Sequence, residues 1–330
     1  MRNLKYFLFG TMCLASWNVN AASIYDNNIN AININMLTIE MMNNTHHARV
    51  TKNKKIYGTM TRVDEYGDDG STLKTANKQD RYNDSLAKDV WFDIEHINAQ
   101  PDYGDHYKTR ARYYLASVGF DSVDFKLPTG SIVFGGFFGY INGNVAGFDS
   151  NGQTIGLFAR YNYKRFSIGT LLNNGAIKND FETNGFNNGW LNLAIDASWK
   201  FKLDKNLYLE PMVYFGYDYV KTDDKTRLNG ELVSMDDFNF WNVSPSVKLV
   251  QRVSKNWSGG AFFKYTNING GKNDIKFQNV NYSGINIKDF SEIGINTEYK
   301  YDQFVFGATI KKLMGNFDGI SGDINVKYLF

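Results

Sequence analysis

Cysteine, net charge and long apolar runs are scarce in this 330-residue sequence, and each shortage excludes a class of protein. One cysteine, Cys13, cannot make a disulfide framework, so a stapled secreted domain is ruled out. Beyond the N-terminus no apolar run reaches the roughly 18 residues that a spanning helix needs, and the mean hydropathy is −0.41, so a helical membrane bundle is ruled out as well. Thirty-six Lys and Arg against 34 Asp and Glu leave a net charge of +2. No basic field is present to draw in nucleic acid or a strongly anionic surface. What the chain does have is 25 Phe, 21 Tyr and 30 Gly against 4 Pro, an aromatic fraction of 16%. That surplus points to β-structure in a chain long enough for one large or two average domains.

The N-terminus reads as a cleavable export signal over residues 1–21. Arg2 and Lys5 precede a mostly apolar stretch from Tyr6 to Trp17, and Val19 and Ala21 suit the −3 and −1 positions of a cut after Ala21. Cys13 falls inside this leader, and Phe9-Gly10-Thr11-Met12 is a poor lead-in for lipid modification of that cysteine.

Residues 22–87 form a short polar segment rich in Asn, Lys, Asp and Thr. An Ile- and Met-bearing stretch from Ile29 to Met42 is read as an amphipathic helix, although Ile32-Asn33-Ile34-Asn35 alternates like a strand. The acidic run from Asp64 to Gly70 fails the calcium-loop template: a loop starting at Asp64 puts Tyr66 third, Asp69 sixth and Thr75 twelfth. A solvated linker is the better reading.

From Lys88 onward apolar and polar residues alternate with period two. Leu191, Leu193, Ile195, Ala197, Trp199 and Phe201 separate from Asn192, Asp196, Ser198 and Lys200. Leu207, Leu209, Pro211, Val213, Phe215, Tyr217 and Tyr219 separate from Glu210, Met212, Tyr214, Gly216 and Asp218, and Ile293, Ile295, Tyr299 and Tyr301 from Glu292, Asn296, Glu298 and Lys300. A soluble sandwich would alternate too. Three further features favour an antiparallel transmembrane β-barrel over residues 88–330. Aromatics cluster at the ends of the oily faces, the segments run to about 10 residues or more, and connections alternate between short turns and long polar loops. The tight ones are Tyr163–Arg165, Lys202–Asn206, Ser254–Asn256 and Tyr301–Gln303; the long ones are Asn142–Asn151, Asn174–Asn188, Lys221–Asp237 and Asn269–Ile287. About twelve strands are expected, near 88–98, 107–121, 131–142, 152–163, 165–175, 188–202, 206–221, 237–253, 256–268, 288–301, 303–314 and 320–330. An even count puts both ends in the periplasm, with the long loops outside.

The period also assigns a lumen lined by Asp93, Glu95, Arg160, Asp196, Lys200, Glu210, Lys248, Lys264, Glu292, Glu298 and Lys311. These charges could hold a plug, line a channel or brace one another. No metal site, cofactor or catalytic residue is assigned. His46-His47 are adjacent and cannot face one metal, and His96 and His106, with Asp102 and Asp105 nearby, give only a faint hint of a triad.

Several pieces taken in order resemble one family. Lys88–Ile94 with Trp91, Gly119-Phe120-Asp121, Leu209-Glu210-Pro211, Ser291-Glu292-Ile293-Gly294-Ile295 and the terminal Val326-Lys327-Tyr328-Leu329-Phe330 look like the translocator barrel of autotransporters of Gram-negative outer membranes. Asn325 stands where the family usually has Gly, and the 22–87 segment is far shorter than the usual passenger. The resemblance implies a monomeric barrel among outer-membrane lipid and lipopolysaccharide. It also implies insertion by the barrel assembly machinery, which would read the terminal signal of Val326, Tyr328 and Phe330. The function expected is translocation or display of a very short N-terminal segment. The alternatives are a stand-alone pore or adhesin barrel, then an outer-membrane hydrolase.

Overall fold

The structure is a computed structural model that describes residues 87–101, 110–145, 148–181, 184–222, 226–228, 231–271, 275–277, 280–282 and 289–330. The leader, the Ile29–Met42 stretch, His46, His47, Asp102, Asp105 and His106 lie outside the described residues.

Twelve long strands follow the alternation. They are β1 (Ala87–Pro101), β2 (Ala111–Ser122), β4 (Gly130–Val145), β5 (Phe148–Tyr163), β6 (Phe166–Phe181), β7 (Asn184–Trp199), β9 (Leu207–Thr222), β12 (Phe238–Arg252), β13 (Trp257–Gly270), β16 (Phe290–Tyr301), β17 (Phe304–Gly315) and β18 (Phe317–Leu329). Each pairs antiparallel with its sequence neighbours, and β1 pairs with β18 from Asp89↔Leu329 to Pro101↔Phe317, which closes the barrel. Closure is what the setting demands, because hydrocarbon cannot satisfy an open sheet edge. Two short strands, β3 (Phe125–Leu127) and β8 (Phe201–Asp204), extend the hairpins at the short-turn end.

The molecule is inside out relative to a soluble sheet protein. Large apolar side chains such as Leu193, Ile195, Val213, Ile293, Ile295 and Ile324 are exposed on the outer face, while Asp93, Glu95, Asp196, Asn192 and Glu298 are buried within. Burial alternates residue by residue along β2, β16 and β17. Aromatic girdles bound the apolar band. Trp199, Trp257, Tyr299, Tyr301, Phe304 and Phe330 mark the short-turn end, and Trp241, packed 4.5 Å from Tyr217, belongs to the loop end. Two of the tight turns, Lys164-Arg165 and Asp302-Gln303, place their first residues at φ of 48° and 52°, the left-handed conformation that a two-residue hairpin requires.

Two stretches expected as long loops are paired. β4 and β5 stay in register out to Val145↔Phe148, and β6 and β7 out to Phe181↔Asn184, so Asn142–Asn151 and Asn174–Asn188 are mostly hairpin. Beyond the membrane both faces of a hairpin are wet. The hydrophobic period disappears there while the backbone goes on pairing, and a sequence reading tied to that period stops early. The other two long connections carry β10 (Thr226–Leu228), β11 (Glu231–Met235), β14 (Ile275–Phe277) and β15 (Val280–Tyr282), which pair as a separate four-stranded sheet.

Candidate functional site

The stagger of the pairing sets the width of the lumen. A row of partners from Gly270 passes through Phe240, Asp218, Asn192, Asn173, Gly156, Phe137, Gly119, Trp91, Lys327, Val305 and Lys300. Lys300 then bonds to Asn256, so the row returns 14 residues displaced, from 270 to 256. Twelve strands with that shear tilt by about 40° and stand about 12 Å from the axis. Less the side chains, this leaves room on the scale of one helix, about 10–12 Å across, or one extended chain.

Ionic and polar links join neighbouring strands around this lumen. Arg160 on β5 grips Asp196 on β7 through two bonds, Nη2 to Oδ2 at 2.6 Å and Nη1 to Oδ1 at 3.1 Å, and also donates to Ser167 on β6. The strand between them must lie flat for that to happen. A Cβ on Gly169 would sit 2.4 Å from Arg160 Nη2 and 2.5 Å from Asp196 Oδ2, so glycine is required beneath the pair. Across the barrel Glu95 and Glu292 share Lys311, at 2.9 and 3.2 Å, and Glu292 also meets Lys264. Ser321 donates to Glu95 at 2.6 Å. Where the first and last strands meet, Lys327 bridges Asp89 and Asp121 at 2.9 and 3.1 Å. A one-residue slip at that seam would move Lys327 to the lipid face, so the buried triad favours one closure register.

The remaining candidate residues occupy the same inward face. Asp93 and Glu298 are buried; Lys200, Glu210 and Lys248 are half-buried, with Lys248 directly opposite Glu210 in register and Lys200 over the ring of Tyr208. The seam triad of Asp89, Asp121 and Lys327 escaped the sequence reading as a lumen group, although parity opposite to that of the oily, outward Val118 and Phe120 assigns Asp121 inward. A second feature was invisible without register. Lumenal rings lie over glycines on the neighbouring strand: Trp91 on Gly119, Tyr113 on Gly143, Phe137 on Gly156, Phe158 on Gly135 and Trp190 on Gly175. This accounts for part of the joint surplus of aromatics and glycine, since a Cβ at any of these glycines would come within about 2.3 Å of a ring atom.

The terminal strand turns Val326, Tyr328 and Phe330 to the outer face. Tyr328 meets Phe330 edge-on at 5.1 Å and Phe304 at 5.3 Å, and donates to Gln303 at 2.8 Å. His96 lies on the outward parity of β1, 4.5 Å from the ring of Tyr114. Among the described residues, no group of His, Cys, Asp and Glu has the arrangement of a metal site.

At the loop end two clamps share one design. The Tyr219 hydroxyl donates to Asp237 at 2.6 Å, and Asp237 accepts the Thr222 N–H; the Tyr265 hydroxyl donates to Asp289 at 2.7 Å, and Asp289 accepts the Ile268 N–H. Partial burial alone would raise the Asp289 carboxyl. The Ile268 N–H, the Tyr265 hydroxyl and the Asn267 amide outweigh it and hold the carboxyl below its ordinary value.

Residues 90–249 match the family model of the autotransporter beta-domain. No curated protein matches the sequence. Among solved structures, the beta domain of the Bordetella autotransporter BrkA aligns with a TM-score of 0.62 at 14% identity, over 74% of this chain and 100% of that one. The transport unit of the autotransporter AIDA-I from Escherichia coli aligns with a TM-score of 0.64 at 15% identity, over 78% and 94%. An outer membrane channel from Pseudomonas putida F1 aligns less closely, with a TM-score of 0.52 at 10% identity over 78% and 100%.

Proposed function

We propose that this outer-membrane barrel, whose residues 90–249 match the autotransporter beta-domain model, works as a member of that family: it carries its own short N-terminal segment, residues 22–87, through the lumen and keeps part of it there. The observation that carries the proposal is the lumen itself. It has the width of one helix or one extended chain, and its walls offer fixed charges and amides to whatever passes. The chain also enters β1 at the short-turn end, where Asp89 pairs with Leu329 and Asp121, so a segment directed outward has the whole barrel to cross. With a segment this short, the product of export is a surface stub or a plug rather than a released passenger. The terminal Val326, Tyr328 and Phe330 serve as the signal read by the assembly machinery. Residues 1–21 serve as the leader that brings the chain to it.

Single-cysteine labelling of intact cells with an impermeant maleimide tests the topology. Cysteines at Asn44 and Asn179 label and one at Lys205 does not. Labelling at Lys205, or a protected Asn179, would reverse the orientation.

A further inference from the structure

On the inner wall from β13 round to β2, acids outnumber bases. Asp89, Asp121, Glu95 and Glu292 share the ammonium groups of Lys327, Lys311 and Lys264. Asp93, Glu298 and Asp323 are buried on the same inward face, where the one further base is Lys300, half-buried at the short-turn end. Among the described residues this wall therefore sets seven carboxylates against four ammonium groups. Charges taken out of bulk water need partners of opposite sign, and a local excess of one sign draws the other in.

Glu298 stands apart within the wall. It is 1% exposed, and neither of its carboxylate oxygens has a hydrogen-bond partner. The side-chain carbonyl oxygens of Asn296 and Asn325, residues 5% and 4% exposed, are equally unpartnered. The register brings the three groups together. Glu298 lies opposite Ser258 on β13 and Gly307 on β17, and Gly307 lies opposite Asn325 on β18. A Cβ on Gly307 would sit 2.5 Å from Asn325 Oδ1 and 2.6 Å from its Nδ2, so the Asn325 amide covers the glycine that adjoins Glu298. Its Nδ2 donates to Asp323 at 3.4 Å, which leaves Oδ1 as the atom open to a ligand. Asn296 is the next inward residue on the strand of Glu298 and lies opposite Gly260, where a Cβ would come 3.3 Å from its Oδ1. Adjacent strands are about 4.8 Å apart and successive inward residues about 7 Å, so one small ion can reach all three groups.

We propose that Glu298, Asn296 and Asn325 bind a hard metal cation of the calcium class within the barrel wall, the carboxylate as charged ligand and the two amide carbonyls as neutral ones. Calcium takes about six to eight oxygens, accepts Asn carbonyls beside carboxylates and keeps water in the remaining positions, whereas magnesium demands a stricter octahedron. Only one of these ligands is acidic, which is why a search for grouped His, Cys, Asp and Glu passes over the site. A wall with more acids than bases favours a divalent over a monovalent ion. The ligands come from β16 and β18 with β17 between them, so the ion ties the last three strands together beside the closing seam. Glycine at 325, the residue expected there from the family resemblance, would remove one ligand, so the site belongs to this chain in particular. Neutralisation of Glu298 by a proton or by a basic side chain predicts no calcium binding.

Calorimetric titration separates these outcomes. The full chain is refolded in detergent free of lipopolysaccharide, which binds calcium itself, then stripped with EDTA and titrated with calcium chloride in a potassium chloride buffer. Heat-modifiable mobility confirms that each variant has folded. The wild-type chain takes up a single equivalent saturably. Glu298→Gln weakens the affinity about ten-fold or more and Asn325→Gly several-fold, whereas Asp318→Asn, at the exposed ion pair with Lys312, leaves it unchanged. Calcium also raises the temperature at which the wild-type barrel loses its heat-modifiable form, and has no such effect on Glu298→Gln. Absence of saturable uptake by the folded wild-type chain, or wild-type affinity in Glu298→Gln, would overturn the site. Should Glu298→Gln fail to fold, Asn325→Gly carries the same test, and wild-type affinity there would overturn the ligand set.

Discussion

Val213 and Met212 are chain neighbours with opposite surroundings. Val213 is 51% exposed on the outer face, whereas Met212 is half-buried toward the lumen. Val213→Arg sets a charge in hydrocarbon near the middle of the wall and costs roughly 2–4 kcal/mol. Met212→Arg points into a polar lumen and costs well under half of that. Unfolding in lipid vesicles reads both, and equal penalties would mean that the two faces are not chemically distinct. Tyr214, the lumen-face residue on the other side of Val213, is a poorer control than its parity suggests. It is 2% exposed and belongs to a buried cluster with Trp91, Phe137 and Phe158, so replacing it would also remove ring packing along the lumen wall. Parity along β9 was legible in the sequence; the packing of Tyr214 was not, because it depends on rings contributed by β1, β4 and β5.

At the scale of elements, the twelve long strands were legible because each crosses an apolar band with a wet face behind it. What escaped lies where that contrast ends. The loop-side ends of β6 and β7, beyond the expected limits at 175 and 188, read as loop because Asn, Gly and Lys crowd the sequence there, and the four short outer strands left no period to follow. The clamps were equally hidden, since Asp237 and Asp289 find Tyr219 and Tyr265 only after the loops have turned back. The lowered Asp289 carboxyl makes its clamp pH-dependent. Its contribution is complete above the unfolded carboxylate value near 3.8 and is lost as the pH falls through the lower folded value. Asp289→Asn should therefore remove about 1 kcal/mol at neutral pH and less at strongly acidic pH, read as hydrogen exchange at the Ile268 amide. The same protection at both pH values in both proteins would rule the clamp out. The last strand carries a different test. Phe330→Ser removes the exposed aromatic from its end, and the fraction of heat-modifiable barrel in the outer membrane should fall several-fold. Wild-type amounts would leave Phe330 without an assembly role.

For the whole molecule, the match of residues 90–249 to the autotransporter beta-domain, the closed twelve-strand barrel and the polar lumen agree on an outer-membrane β-barrel. The charges singled out by period two lie together inside it, tied across several strands by Arg160, Lys311 and Lys327. Which carboxylate each cation would choose was beyond the sequence, because partners such as Glu95 and Lys311 are 216 positions apart and meet only when β18 lies between their strands. Single-channel conductance tests the central claim most directly, with the purified full-length barrel compared in planar bilayers with a chain lacking residues 22–86. A lumen held by the N-terminal segment predicts a small conductance for the full-length protein and a several-fold larger one for the truncated chain. Equal conductance in the two would contradict the claim that this segment occupies the pore.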